Sequence, residues 1–369
     1  MAEEKKFYVS VSPHVRDGMD VSKIMGSVLL ALAPTALWAL YLFGLSGALI
    51  IGMTVFAAMF TEVLWHRVRD HDRVKGLYPY IGAVLALLVA MAVAPATQPA
   101  LAWLVMLALA AGVYDHTHSR KAAGKYATDW SAAVTGLLLA MCLPPKTEWW
   151  IAFIGGAVAI ALGKEIFGGL GFNIFNPALV SRAILLMSWP SLMTSTWFKN
   201  LGIDGSTSAT PLALAKDKLI KDVGAYYTPL AFRNTGGSIG EVSAVLLLLG
   251  GLYLIWKEII DWRIPATYVG TVALLALVMK ADPLFSVLAG GVMVGAFFMA
   301  TDYVTSCSSN NGKIIFGIGC GLITMVLRHY SGAAEAVTGA ILFMNMLTPL
   351  IDRSVQPRLF GVVKEAKAR

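Results

Sequence analysis

Residues 163–190 read GKEIFGGLGFNIFNPALVSRAILLMSWP. An apolar run, Trp149–Gly163, leads into this stretch, and another, Pro177–Trp189, leaves it. Between them stand Lys164, Glu165, Gly168, Gly169, Gly171, Asn173 and Asn176. A charged, Gly/Asn-rich link between two apolar runs reads as a membrane helix broken in its middle. The glycines let backbone approach a ligand ring closely, and the Asn amides offer hydrogen bonds to the edge of such a ring. The bland alternative is a broken helix that the Asn side chains merely cap.

Composition agrees with a membrane protein. Of 369 residues, 57% are hydrophobic and 14% charged, with a mean hydropathy of +0.69; a soluble domain carries about 25% charged residues. A chain this apolar cannot clothe a water-facing surface. The start, MAEEKKFYVSVSPHVRDGMDVSK, is polar and has no cleavable signal pattern. The net charge of +7 reads as cytoplasmic loops rich in Lys and Arg, not as a nucleic-acid surface. Cys142, Cys307 and Cys320 form no CxxC pair. They supply neither an iron–sulfur nor a zinc-ribbon pattern, and read as buried small hydrophobes.

Outward from the break, further apolar runs are Ile24–Phe43, Gly47–Trp65, Tyr78–Ala94, Ala100–Tyr114, Ala127–Leu143, Val242–Trp256, Ile264–Met279, Leu284–Ala300, Ile314–Leu327 and Ala336–Ile351. Several fall short of the roughly 20 residues of a full span. The expectation is an all-α polytopic protein with about ten transmembrane helices, the remainder being half-helices or re-entrant pieces. Alternating from an inside N-terminus puts 21 of the 29 Lys and Arg in inside segments and 8 outside. That bias predicts both termini on the cytoplasmic side of a bacterial inner membrane. It also puts the long polar loop 191–240 outside, where its length makes it a candidate functional element. The chain then divides into a cytoplasmic segment 1–23, a first membrane half 24–190, the external loop 191–240, a second membrane half 241–352 and a cytoplasmic tail 353–369. The second half has its own break, GAFFMATDYVTSCSSNNGKIIFG, holding Asp302. Two such breaks suggest an inverted repeat, though the halves share too little identity to prove duplication.

Within the loop, 203–216 reads IDGSTSATPLALAK. By composition this is a turn leading into a short helix, with Ser208 as cap and Pro211 near the first turn. Asp204-Gly-Ser-Thr207-Ser208-Ala209-Thr210 also resembles the acceptor pattern of periplasmic flavin transferases: Asp, two residues, Ser or Thr, a small residue, Ala and Thr. The resemblance implies that the Thr210 hydroxyl is joined to the phosphate of FMN. Small neighbours would let a bulky transferase reach it, and Asp204 would help an incoming Mg²⁺-bound FAD.

The break itself is similar to the signature of the family containing the D subunit of the Rnf complex and the B subunit of the sodium-pumping NADH:quinone reductase. The pattern K-x-x-F-G-G-x-G-x-N-x-x-N-P-A is matched by Lys164, Phe167, Gly168, Gly169, Gly171, Asn173, Asn176, Pro177 and Ala178. GGLG lacks the GxGxxG spacing and the preceding strand of a dinucleotide loop. Ser12-Pro13-His14, ATDYVTS from Ala300, and LRHYSGAAEAVTGAILFMNMLTPLID from Leu327 resemble the family's ends. Tyr303 departs from it, because the family usually has proline after this Asp; the contacts of a second flavin site lined by this loop would differ accordingly. The resemblance spans nearly the whole chain, and length and the short start favour the Rnf D subunit over the quinone-reductase B subunit.

The resemblance implies a membrane flavoprotein subunit in a complex that couples ferredoxin/NAD⁺ electron transfer to Na⁺ or H⁺ movement. Implied cofactors are covalent FMN and non-covalent riboflavin, the latter near the glycine break and Asp302. Implied partners are other subunits, one carrying a flavin, and a flavin transferase. No residue need be an acid–base catalyst. Asp129, Lys164, Glu165, Arg182, Asp302 and Arg328 lie in or beside apolar runs, where ionisable groups are often functional; near run ends they also snorkel or cap cheaply. His116 and His118 do not share a helix face, so no metal is expected. The competing class is a secondary transporter without redox chemistry, which has no need for the Asp204–Thr210 motif.

Overall fold

The computed structural model describes residues 20–69, 129–194, 212, 224–232, 237–330 and 336–355. Every regular element among the described residues is helical. The first, α1 (Val21–Arg69), is 49 residues long but is interrupted at Gly44, with φ 58 and ψ −135. A straight helix of that length would run about 70 Å. Instead both ends of α1 meet Lys164, which bonds Glu62 and shares a cavity with Val21 and Ile24. The chain therefore reverses at Gly44, and α1 is two legs, the expected runs Ile24–Phe43 and Gly47–Trp65.

Helices α2 (Ser131–Cys142) and α3 (Trp149–Ala161) pack on the second leg. A Cβ on Gly136 would lie 2.7 Å from the Val55 Cα, and one on Gly156 2.5 Å from the Thr54 carbonyl oxygen. Small residues that let backbones approach are what drives helix association in lipid, where apolar burial offers little advantage. After the break come α4 (Pro177–Ser188) and α5 (Pro190–Thr194), then α6 (Tyr227–Phe232). Helix α7 (Ala244–Trp256) crosses the first leg of α1, with Gly250 against Ala31. Helices α8 (Arg263–Val278) and α11 (Asn310–Tyr330) meet through Gly317 and Gly321 against Thr267 and Thr271. The expected run Leu284–Ala300 is not one helix. It divides into α9 (Pro283–Leu288), α10 (Val292–Val294) and a π-helical turn, Gly295–Met299, because Gly290 and Gly291 take φ of 71 and 70. The last element is α12 (Ala336–Ser354).

Among the described residues, Val21–His66, Trp149–Phe167 and Asn310–Tyr330 are long and apolar enough to cross a membrane, and four further apolar helices are shorter. The chain is an all-helical, polytopic membrane protein. The expected runs Tyr78–Ala94 and Ala100–Tyr114 lie outside the described residues.

The molecule has two distinguishable ends. At one end Lys164 bonds Glu62, Asp261 bonds Lys313 and Arg263, and Ser308 bonds Asp352. At the other, Ile239 donates to the Leu143 carbonyl, Tyr227 to Asp282, and Arg328 to the carbonyls of Ser286, Ala289 and Gly290. Leu212 packs there too, beside Leu230, Phe285 and Ala289. Lys313 and Arg328 lie on the same helix, α11, roughly 22 Å apart along its axis. The described parts of the loop 191–240 thus sit at the end opposite the segments assigned to the cytoplasm. Arg182, counted with those segments, lies instead beside Cys142 and Glu241 towards the loop end.

Candidate functional site: a cavity between two helix breaks

The expected break is present. Helix α3 stops at Ala161, Glu165–Phe167 make one 3₁₀ turn, and the chain resumes as helix at Pro177. Gly168, Gly169 and Gly171 carry it between them at φ of 121, 100 and 93, a region closed to most side chains. Asn176 then caps α4: its Oδ1 accepts from the backbone N–H of Ala178 at 3.1 Å and of Leu179 at 3.3 Å. The second break follows the π turn, and from Ala300 to Ser309 the chain is irregular before α11 begins.

The two breaks are stitched together. The Asn176 amide donates to the Met299 carbonyl at 3.2 Å across a sequence separation of 123 residues. Asn345, 1% exposed on α12, joins both when its amide is turned to suit its neighbours. Its oxygen then accepts from the Asn176 backbone N–H at 3.1 Å, and its nitrogen donates to the Thr305 carbonyl at 3.3 Å. Thr348, one turn on, donates to the same Thr305 carbonyl at 3.0 Å.

Between the breaks lies a cavity of about 230 Å³. Its walls are largely apolar, from the first leg of α1, α2, α7 and Phe297–Phe298. Its polar groups are few: Ser131 and Thr135 on α2, and Lys164, Asn173, Asn176, Thr301, Asp302 and Tyr303 from the two breaks. The Asn173 amide donates to the Phe175 carbonyl at 3.2 Å and also reaches Asp302. Thr305 donates to Asp302 at 3.1 Å. Tyr303 gives its hydroxyl to the Ile259 carbonyl. Apolar walls with a few convergent polar groups are the usual make-up of a small-molecule site. The volume is below the roughly 300–1,000 Å³ of ordinary ligand pockets, so it suits a planar ring rather than a dinucleotide.

Of the residues expected to bind a cofactor, Lys164, Asn173, Asn176 and Asp302 are brought together here. Gly168, Gly169 and Gly171 are not in the walls; they shape the turn that presents Leu170 and Asn173. Asn176 acts chiefly as cap and bridge, so the bland reading of the break holds for this side chain. The Lys164 ammonium is held by Glu62 and by the Ser131 hydroxyl at 2.6 Å. Asp204, Thr207, Ser208, Ala209 and Thr210 lie outside the described residues. Leu212, two positions on, is 3.5 Å from where a Cβ on Gly290 would be.

Sequence reasoning passed over Glu62, Ser131 and Asn345. Glu62 had a usable signal, being the one acid in the apolar run VFAAMFTEVLW. Asn345 had none, since a single Asn in an apolar helix gives no hint of its distant partners.

A model of the family described as NQR2, RnfD, RnfE matches residues 8–118 and 98–361. The chain is 41% identical over 372 residues to the D subunit of the Na⁺-translocating ferredoxin:NAD⁺ oxidoreductase complex of Acetobacterium woodii, covering 99% of each chain. It is 40% identical over 371 residues to the D subunit of the proton-translocating ferredoxin:NAD⁺ oxidoreductase complex of Clostridium ljungdahlii, covering 96% of each. The D subunit of the ion-translocating oxidoreductase complex of Stutzerimonas stutzeri is 41% identical over 269 residues, 63% of this chain and 76% of that one.

Proposed function

Since this chain belongs to the NQR2, RnfD, RnfE family, we propose that it is the membrane flavoprotein subunit of an ion-translocating ferredoxin:NAD⁺ oxidoreductase complex. On this reading FMN is held as a phosphoester on Thr210, and riboflavin occupies the cavity between the two breaks. The observation that carries it is that cavity, where Asn173 and Asp302 converge from opposite halves of the chain among apolar walls. Relatives matched over nearly their whole length are named as the D subunits of such complexes, which supports this role over that of a quinone-reductase B subunit.

A flavin supplies electron-transfer chemistry when bound; the protein supplies position and environment. Asn173 and Asp302 offer a donor and an acceptor at the cavity's polar side. Leu138, Leu254, Phe297 and Phe298 give it apolar walls. Lys164 places positive charge at one edge. On this reading the cavity end, with Lys164, Arg263 and Lys313, faces the cytoplasm, while Leu212, two positions after Thr210 in the sequence, lies at the opposite end, the side from which a transferase would work. The partner subunits include one that itself carries a flavin.

The test is in-gel flavin fluorescence on the denatured chain, co-expressed with a flavin transferase, together with extraction of non-covalent riboflavin from the native protein. Wild type should fluoresce and release riboflavin. Thr210→Ala should be dark in the gel yet still release riboflavin, and Asp302→Asn the reverse. A dark wild-type band, with the transferase shown active on another acceptor, refutes the anchor and favours a transporter without redox chemistry.

A further inference from the structure

We propose that Tyr303 closes the mouth of the cavity and positions the planar ring bound there, held across the opening by the bond from its hydroxyl to the Ile259 carbonyl. The exposure of the lining residues locates the mouth. Tyr303 is 55% exposed, Val21 40% and Leu170 37%, while every other lining residue is buried or half-buried. The cavity therefore opens between the start of α1, the glycine turn and the second break. Of the three residues at that opening, Tyr303 alone is aromatic and alone has a side chain that hydrogen-bonds.

The tie joins parts of the chain 44 residues apart. Its acceptor stands on fixed ground. Ile259 and Ile260 are buried and line the cavity themselves. The Ile259 backbone N–H donates to the Leu254 carbonyl at 2.9 Å. Two residues on, Asp261 pairs with Arg263 at 2.9 Å and with Lys313 at 3.0 Å. On the other side, Asp302 precedes Tyr303 and is held by the Thr305 hydroxyl at 3.1 Å. A ring fixed by its backbone at the second break and by its hydroxyl at the turn after α7 is a wall, not a free side chain.

Two consequences follow for a bound ligand. A closed mouth keeps bulk water out, and the charges of Asp302 and Lys164 act more strongly where water is excluded. Release requires the Tyr303 bond to break, so the tie slows it. A proline, which the family usually has after this Asp, carries no hydroxyl and cannot make the tie. This deepens the proposed function and rests on its reading that riboflavin fills the cavity.

Riboflavin release from the native, flavin-loaded chain in detergent is timed by separating freed flavin from protein. Tyr303→Phe keeps the ring and removes the tie, and should speed release about 5-fold, the factor that one net hydrogen bond carries. Tyr303→Leu should be faster still. Tyr330→Phe, at an exposed tyrosine on the far end of α11, should match wild type. Emission of bound riboflavin is read in the same chains carrying Thr210→Ala, so that covalent flavin does not contribute. A phenol beside a flavin quenches its emission. The bound flavin should therefore be dim with Tyr303 and brighter in Tyr303→Phe, a change that loosened packing elsewhere would not produce. Tyr303→Phe differs from wild type by one oxygen atom, so the result does not depend on the folding of Tyr303→Leu. Riboflavin bound but with release or emission unchanged in Tyr303→Phe overturns the proposal and leaves the cavity's ligand standing. A wild-type chain that binds no riboflavin overturns both.

Discussion

Asn176 bridges the two halves of the chain, capping α4 with its oxygen while its nitrogen donates to the Met299 carbonyl 3.2 Å away. One side chain thus sets where a helix restarts and how far that restart lies from the π turn of the other half. Asn176→Ala should lower stability by about 2 kcal/mol: about 1 for the lost cap and about 1 for the lost bridge. Asn176→Ser should recover the cap share alone. Thermal unfolding in detergent separates the two, and an Asn176→Ser midpoint equal to that of wild type would show that the bridge contributes nothing.

Gly156→Ala should strongly destabilise the packing of α3 on α1, because the new methyl would meet the Thr54 carbonyl at 2.5 Å. Gly270→Ala is the contrast. Nothing lies within 4 Å of its Cβ position in α8, so relief of backbone entropy should leave the variant neutral or up to about 1 kcal/mol more stable. Midpoints moving together for these two would contradict the close-approach account of helix association.

Asp261 predicts a pH dependence. Partial burial alone would raise its carboxyl, but the Arg263 backbone N–H and the Lys313 ammonium at 3.0 Å outweigh this and hold it below the usual carboxylate range. With the folded value depressed, the contribution is fully present above the unfolded value of about 3.9 and is lost as pH falls from there through the folded value. Asp261→Asn should therefore lose about 1 kcal/mol or less near neutrality and converge with wild type in acid. Unfolding midpoints against pH for both proteins decide this; a constant gap across the acid range would refute it.

Tyr227 donates to Asp282, the residue that caps α9 through the Phe285 backbone N–H at 2.8 Å. This tie, with the packing of Leu230 against Phe285, anchors part of the long loop to the second membrane half. Tyr227→Phe should speed amide hydrogen exchange in 224–232 and leave α11 unchanged. Equal protection in wild type and variant would mean that apolar packing alone holds the segment.

By itself, the sequence determined that this is a membrane protein, that its helix breaks near Lys164 and again near Asp302, and to which family it belongs. Those properties are written in local order: apolar runs need length, a break needs Gly and Asn, and a family signature is a spacing. The tertiary structure alone decided that Gly44 folds α1 into two legs, that Gly290 and Gly291 split the expected run Leu284–Ala300, and that Gly168, Gly169 and Gly171 shape a turn without lining the cavity. It alone brought Asn173 to Asp302, Asn345 to Asn176, and Glu62 to Lys164. The reason is physical. A lone polar residue in an apolar helix carries no local mark of its partner, because the penalty for burying it is relieved by whichever distant group the packed helices bring within about 3 Å of it.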